Sequence, residues 1–151
     1  MSSLKPAIVI VPGAWHPASC YDGLANQLKA ADFTVLTATL PSLNPPNPLT
    51  ATCTEDAKAV RKVILSLLDV GKDVVLVNHS YGGVPGNCAA RGLSKATYGK
   101  PGVGGVIGII HMASFVVPGG TSLVDFGGGT HPPYILVNQV SLDSSLLSDQ
   151  H

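Results

Sequence analysis

The chain has 151 residues, enough for one domain and short for two. Apolar residues make up 45% and charged residues 12%, about half the ~25% usual in globular proteins, and nine basic residues balance nine acidic ones. That balance excludes binding to nucleic acid or an anionic membrane through bulk charge, and the 17 glycines and 12 prolines fall short of the ~25–30% that marks low complexity.

Ala7-Ile8-Val9-Ile10-Val11 is a continuous apolar run closed by Pro12-Gly13. It reads as a strand buried on both faces, as in a parallel sheet. The run is too short for the apolar part of a secretion signal, and no stretch approaches the ~18 residues of a membrane span. Ser19, with Asp22 three residues on, is placed to cap a helix that carries Tyr21, Leu24, Ala25 and Leu28 on one face. Phe33 to Thr37 reads as a second strand. Pro41 to Pro48 holds four prolines and is an irregular loop.

Thr52-Cys53-Thr54-Glu55 fits a capping box. Val60, Ile64, Leu67 and Leu68 continue at helical spacing, and Gly71 is a natural stop. Asp73 to Val77 is a third buried strand, followed by a short helix to about Arg91. Gly105 to Ile110 is a fourth strand. Strands alternating with helices imply an α/β fold, a parallel sheet flanked by helices. Right-handed crossovers then set the strand order 2-1-3-4. From Pro101 onward there is no lysine or arginine, and glycines interrupt the chain repeatedly. Tyr134 to Val137 is a further candidate strand. No second domain is visible, so residues 1–151 read as one domain.

The cysteines Cys20, Cys53 and Cys88 are odd in number and widely spaced. They form neither a disulfide framework nor a zinc pair. Cys20 and Cys88 read as small core residues, and a reducing, cytoplasmic setting is the expectation. No histidine pair has metal-ligand spacing. Gly102-Val103-Gly104-Gly105-Val106-Ile107 has Ile107 where a dinucleotide fingerprint needs its third glycine, and it precedes a strand instead of following one.

The segment that carries chemistry is Asn78-His79-Ser80-Tyr81-Gly82-Gly83, between the third strand and its helix. This is the setting of a nucleophile elbow, G-x-S-x-G, in which a sharp turn lifts a serine hydroxyl above the sheet. Small neighbours are required because strand and helix pass close together. The helix start offers backbone N–H groups to a developing oxyanion. The Tyr81 N–H is one candidate donor. The second is the Ala14 N–H, in the tight turn after the first strand. Trp15 and His16 follow in the same loop and are candidates to line a substrate pocket. His79 is read as structural, because neighbouring side chains at such a turn point apart. His111 and His131 read as strand-end and loop residues.

Val11-Pro12-Gly13-Ala14-Trp15, Tyr21-Asp22-Gly23-Leu24-Ala25 and His79-Ser80-Tyr81-Gly82-Gly83 together resemble the α/β-hydrolase superfamily. Ile110-His111-Met112-Ala113-Ser114-Phe115-Val116-Val117-Pro118 adds a likeness to its branch of small-molecule methylesterases, salicylate-binding esterases and hydroxynitrile lyases. The resemblance covers about residues 7–118. Two positions depart from the family pattern: Pro12, where histidine is usual, and Asn78, where glycine is usual.

The resemblance implies a serine hydrolase that acts on small esters through an acyl-enzyme, with Ser80 as nucleophile and no metal or organic cofactor. It also implies a triad in the order Ser, Asp or Glu, His. Asp143 and His151 stand in that order, but only seven residues separate them, with no strand between. The family's C-terminal strands are therefore expected to be missing from these 151 residues. The alternative reading is a non-catalytic protein of the same fold, a binder of a small apolar ligand or a fragment. An incomplete sheet would leave the fourth strand as an apolar edge, open to self-association.

Overall fold

The computed structural model describes residues 5–45, 51–131 and 135. Strands β1 (Ala7–Val11), β2 (Val35–Thr37), β3 (Val74–His79) and β4 (Val106–Met112) form a parallel sheet in the order β2-β1-β3-β4. This is the order that right-handed crossovers require. β1 is central, and all five of its residues are buried. Ile8 pairs with Val35 on one side and with Val75 on the other.

The period of two along β1 divides the core into two layers. Ala7, Val9 and Val11 pack with Val60, Ile64, Leu67 and Leu68 of helix α2 (Cys53–Leu68) and with Ala89 of helix α3 (Gly83–Ala90). Ile8 and Ile10 pack with Tyr21, and with Ala25 of helix α1 (Asp22–Ala30). Helices thus cover both faces of the sheet, and its strands can be apolar throughout.

Local chemistry fixes the helix ends. Thr52 Oγ1 accepts the Glu55 N–H at 3.3 Å and opens α2. Gly71, at φ +78°, turns the chain out of it, with the Lys72 N–H donating to the Leu67 carbonyl at 3.0 Å. Arg61 Nη1 donates to the Ala89 and Arg91 carbonyls at 2.8 and 2.9 Å. A cation of α2 therefore closes the C-terminal end of α3.

Several sequence expectations need correction. Ser19 caps no helix. It lies inside a 3-10 turn, Ala18–Tyr21, that starts after Pro17, and α1 begins only at Asp22. Phe33 belongs to the exit of α1, its N–H bonded to the Leu28 carbonyl, so β2 is shorter than its apolar run. β3 and β4 each run two residues further than their apolar stretches, because the ladder pairs Asn78 with His111 and His79 with Met112. Cys20 and Cys88 are exposed, not core. Both sit on the outer side of short helical turns whose inner side is taken by Tyr21 and Ala89.

A short helix α4 (Lys95–Tyr98), capped by Ser94, was not evident from apolar spacing. Lys95 pairs there with Asp73 at 2.7 Å, which holds the Asp73 carboxyl below its ordinary value. The candidate strand at Tyr134 to Val137 lies outside the described residues, apart from Ile135, which is not in a strand.

The chain divides into two compact units, Met1–Val117 and Pro118–His151. The first holds the sheet. The described part of the second contains a one-turn helix, α5 (Leu123–Phe126), whose cap Ser122 accepts the Asp125 N–H at 3.0 Å. Among the described residues, no helix is long and apolar enough to cross a membrane.

Candidate active site

Ser80 directly follows the last residue of β3 and starts a 3-10 turn, Ser80–Gly82, that runs into α3. Its backbone sits at φ +49°, in the left-handed region. For a residue with a side chain this costs about 1–2 kcal/mol, so neighbouring contacts must hold it there. The Ser80 carbonyl accepts the Phe115 N–H at 3.1 Å and the Ser114 hydroxyl at 2.9 Å. Both donors come from the turn after β4, where Ala113 also has a positive φ of +44°. The turn after one strand thus clamps the elbow after its neighbour.

Close packing explains the small residues. A Cβ on Gly82 would collide with the Pro12 and Val11 carbonyls, and one on Gly83 with Phe115 and Ser114. Gly13 is the third such position, where a Cβ would lie 3.0 Å from His79 Nδ1 and 3.2 Å from Ser80 Cβ. The turn after β1 therefore lies directly against the serine.

Asn78 is fully buried. Gly86 makes room for it, since a Cβ there would strike the Asn78 amide. The space that the family pattern assigns to glycine at position 78 is provided one helical turn into α3. Asn78 Nδ2 reaches Asn87 Oδ1 at 3.4 Å, while Asn78 Oδ1 has no partner among the described residues.

The loop carrying the second candidate donor is tightly shaped. The Gly13 N–H donates to the Tyr21 hydroxyl at 2.9 Å, and that hydroxyl lies 2.7 Å from His79 Nδ1. His16 Nδ1 is 2.7 Å from the Ala14 carbonyl, the ring N–H donating. Among the described residues the Ala14 N–H has no hydrogen-bond acceptor. Trp15 takes φ +61° and is 69% exposed, and His16 is exposed as well. Both therefore stand at the surface, in the loop beside the serine. An open groove of about 400 Å³ lies elsewhere, on the outer side of α2 along Lys58, Arg61, Lys62 and Leu65, and includes no residue of the elbow.

One site residue escaped the sequence reading. Asp56, on α2, is fully buried. Its carboxylate accepts the Ser42 N–H at 2.9 Å, the Ser42 hydroxyl at 2.7 Å and the Tyr81 hydroxyl at 2.7 Å. It joins the loop after β2 to the residue that follows Ser80. Burial first, and then the bond to Asp56, push the Tyr81 phenol far above its ordinary pKa. Burial likewise raises the Cys53 thiol. The signal in the sequence was position: Asp56, Val60 and Ile64 share the buried stripe of α2, where a carboxylate needs partners.

No side chain among the described residues hydrogen-bonds to Ser80 Oγ. His79 turns its Nδ1 to Tyr21 instead. His111 lies on β4 and is exposed, and His131 is exposed in the second unit. Asp143 and His151 lie outside the described residues. No cluster of metal-ligating side chains occurs among the described residues.

The model of the alpha/beta hydrolase family matches residues 8–146. The chain is 43% identical over 122 residues to the alpha/beta hydrolase nvfD of Aspergillus novofumigatus, covering 80% of this chain and 47% of that one. It is 31% identical over 126 residues to a Phoma protein named Probable hydrolase R7, covering 83% of this chain and 49% of that one. Among solved structures it superposes with TM-score 0.61 and 22% identity on an extracellular alpha/beta-hydrolase from a Paenibacillus species. That enzyme's description gives it structural and functional homology to tobacco salicylic acid binding protein 2, and the match covers 80% of this chain and 46% of the other. The chain thus spans about half the length of the relatives it matches.

Proposed function

The chain belongs to the alpha/beta hydrolase family, and from that premise we propose that Ser80 is the nucleophile of a serine esterase for small molecules. The observation that carries this reading is the backbone of Ser80, held at φ +49° at the strand-to-helix turn. A strained serine retained among three close-packed glycines, Gly13, Gly82 and Gly83, fits a reactive position better than a helix cap. In the proposed step the Ser80 hydroxyl oxygen attacks the ester carbonyl carbon. The alcohol leaves, the serine is acylated, and water then releases the acid. The Ala14 and Tyr81 N–H groups hold the oxyanion.

The proposed substrate is an ester with a small apolar body, since the loop beside the serine presents Trp15 and His16 and no cation. No metal or organic cofactor enters this chemistry. A cytoplasmic site of action is part of the same proposal, resting on free cysteines, two of them exposed.

A second reading is a non-catalytic binder on the same scaffold. The absence of a base on Ser80 Oγ among the described residues favours it. Hydrolysis of p-nitrophenyl acetate by the 151-residue chain, beside Ser80→Ala, separates the two. An assembled triad turns over at about 10 per second. A serine and oxyanion donors without a base leave roughly 10³–10⁴ over the uncatalysed rate. Equal rates for the wild type and Ser80→Ala would reject the nucleophile and leave the binder.

A further inference from the structure

Tyr21 stands at the end of the 3-10 turn between β1 and α1, with its side chain buried. Its hydroxyl oxygen receives the Gly13 N–H at 2.9 Å and lies 2.7 Å from His79 Nδ1. A phenol has one proton. The Gly13 N–H can only donate, so the phenol proton is free for His79 Nδ1. Donation of the phenol proton to that nitrogen goes with an unprotonated Nδ1 and the His79 proton on Nε2. The reverse tautomer would direct two N–H donors at one oxygen and leave the phenol proton without an acceptor among the described groups. The geometry points to Tyr21 as a positioning residue that occupies the Gly13 N–H and fixes the His79 tautomer, leaving the Ala14 N–H as the loop's oxyanion donor.

Two further observations support this assignment. The rings of His16, Tyr21 and His79 form one cluster. His16 meets His79 edge-on at 5.6 Å between centroids, and Tyr21 meets His79 at 5.8 Å. The cluster joins the loop after β1 to the residue before the serine, and His16 in turn holds the Ala14 carbonyl. Burial also raises the Tyr21 phenol above its ordinary pKa, which keeps its proton in place for donation. Tyr21 touches no reacting atom. It acts through Gly13 and His79, and its catalytic meaning rests on the proposal that Ser80 is acylated.

The test reads the ring nitrogens and the loop amide directly. In wild-type protein labelled with ¹⁵N-histidine, His79 should show the Nε2–H tautomer, with Nδ1 unprotonated. In Tyr21→Phe the tautomers should mix, and the Gly13 amide should exchange with solvent at least tenfold faster, while the Val9 amide keeps its rate. A wild-type His79 protonated on Nδ1, or a Gly13 amide equally fast in both proteins, would overturn the assignment. Should Tyr21→Phe fail to fold, the wild-type tautomer alone decides.

A fluorophosphonate probe tests the link to the serine. Its labelling of Ser80 should slow at least tenfold in Tyr21→Phe, and an unchanged rate would remove Tyr21 from the oxyanion loop. Absence of labelling in the wild type would count against the esterase proposal, whereas the nitrogen spectrum still decides the role of Tyr21.

Discussion

The buried carboxylate of Asp56 decides how the residue after the serine is held. It accepts three hydrogen bonds, one of them from the Tyr81 phenol. Removing the phenol deletes one bond and leaves the others, so Tyr81→Phe should cost about 1–2 kcal/mol. Asp56→Ala strands three donors and should cost on the order of 3 kcal/mol, both read from urea unfolding. The Tyr81 phenol also sets a pH dependence. Its pKa is raised in the folded state, so the unfolded chain binds fewer protons above the ordinary tyrosine value of 10.0. The stability that Tyr81 contributes is therefore full below pH 10 and is lost as the pH rises beyond it. Tyr81→Phe should flatten that alkaline slope, and an unchanged slope would contradict the burial argument. Ser80, Gly82 and the Gly13 turn were legible from their place between strand and helix. Asp56 was not, because a single acidic residue in the first turn of a helix ordinarily reads as a solvated partner of the dipole.

At the scale of elements, the turn after β4 and the elbow after β3 are interlocked, and two glycines test this with opposite signs. A Cβ on Gly83 would meet the Phe115 carbonyl and the Ser114 hydroxyl, whereas one on exposed Gly23, in α1, meets nothing within 4 Å. Gly83→Ala should destabilise by about 1–3 kcal/mol through forced displacement of that turn. Gly23→Ala should stabilise by about 0.5–1 kcal/mol, because alanine loses less backbone entropy in a helix. Equal urea midpoints for the two variants would contradict the interlock. The four strands and their order followed from apolar runs and crossover handedness. The missed elements are those without a long period. α4 and α5 each have four residues, and capping serines set their starts, not an apolar stripe. The Ser19 cap failed because Pro17 starts a 3-10 turn that places Ser19 within it.

Across the whole molecule, β4 is the strand with the most exposed apolar surface. Ile107, Ile109, Ile110 and Met112 are all exposed, and so are Phe115 and Val116 beyond it. Among the described residues, β4 pairs with β3 along its length and otherwise only through an isolated bridge from Val106 to Ser94, which leaves the rest of its outer edge without a strand. An apolar strand with free N–H and C=O groups pairs readily with another chain. The 151-residue chain should therefore elute in size-exclusion chromatography as oligomers that grow with concentration. Ile110→Lys should shift it toward monomer, and a wild-type monomer at high concentration would contradict association through this edge. Sequence showed the apolar character of the strand, but its exposure on both faces depends on what packs there, which local pattern does not encode.

Whether Ser80 at the strained elbow is the nucleophile is read from the intact mass of the protein after treatment with a fluorophosphonate. One adduct is expected, mapped by peptide sequencing to Ser80 and lost in Ser80→Ala. An unmodified wild-type protein, or an adduct that persists in Ser80→Ala, would contradict a nucleophilic Ser80.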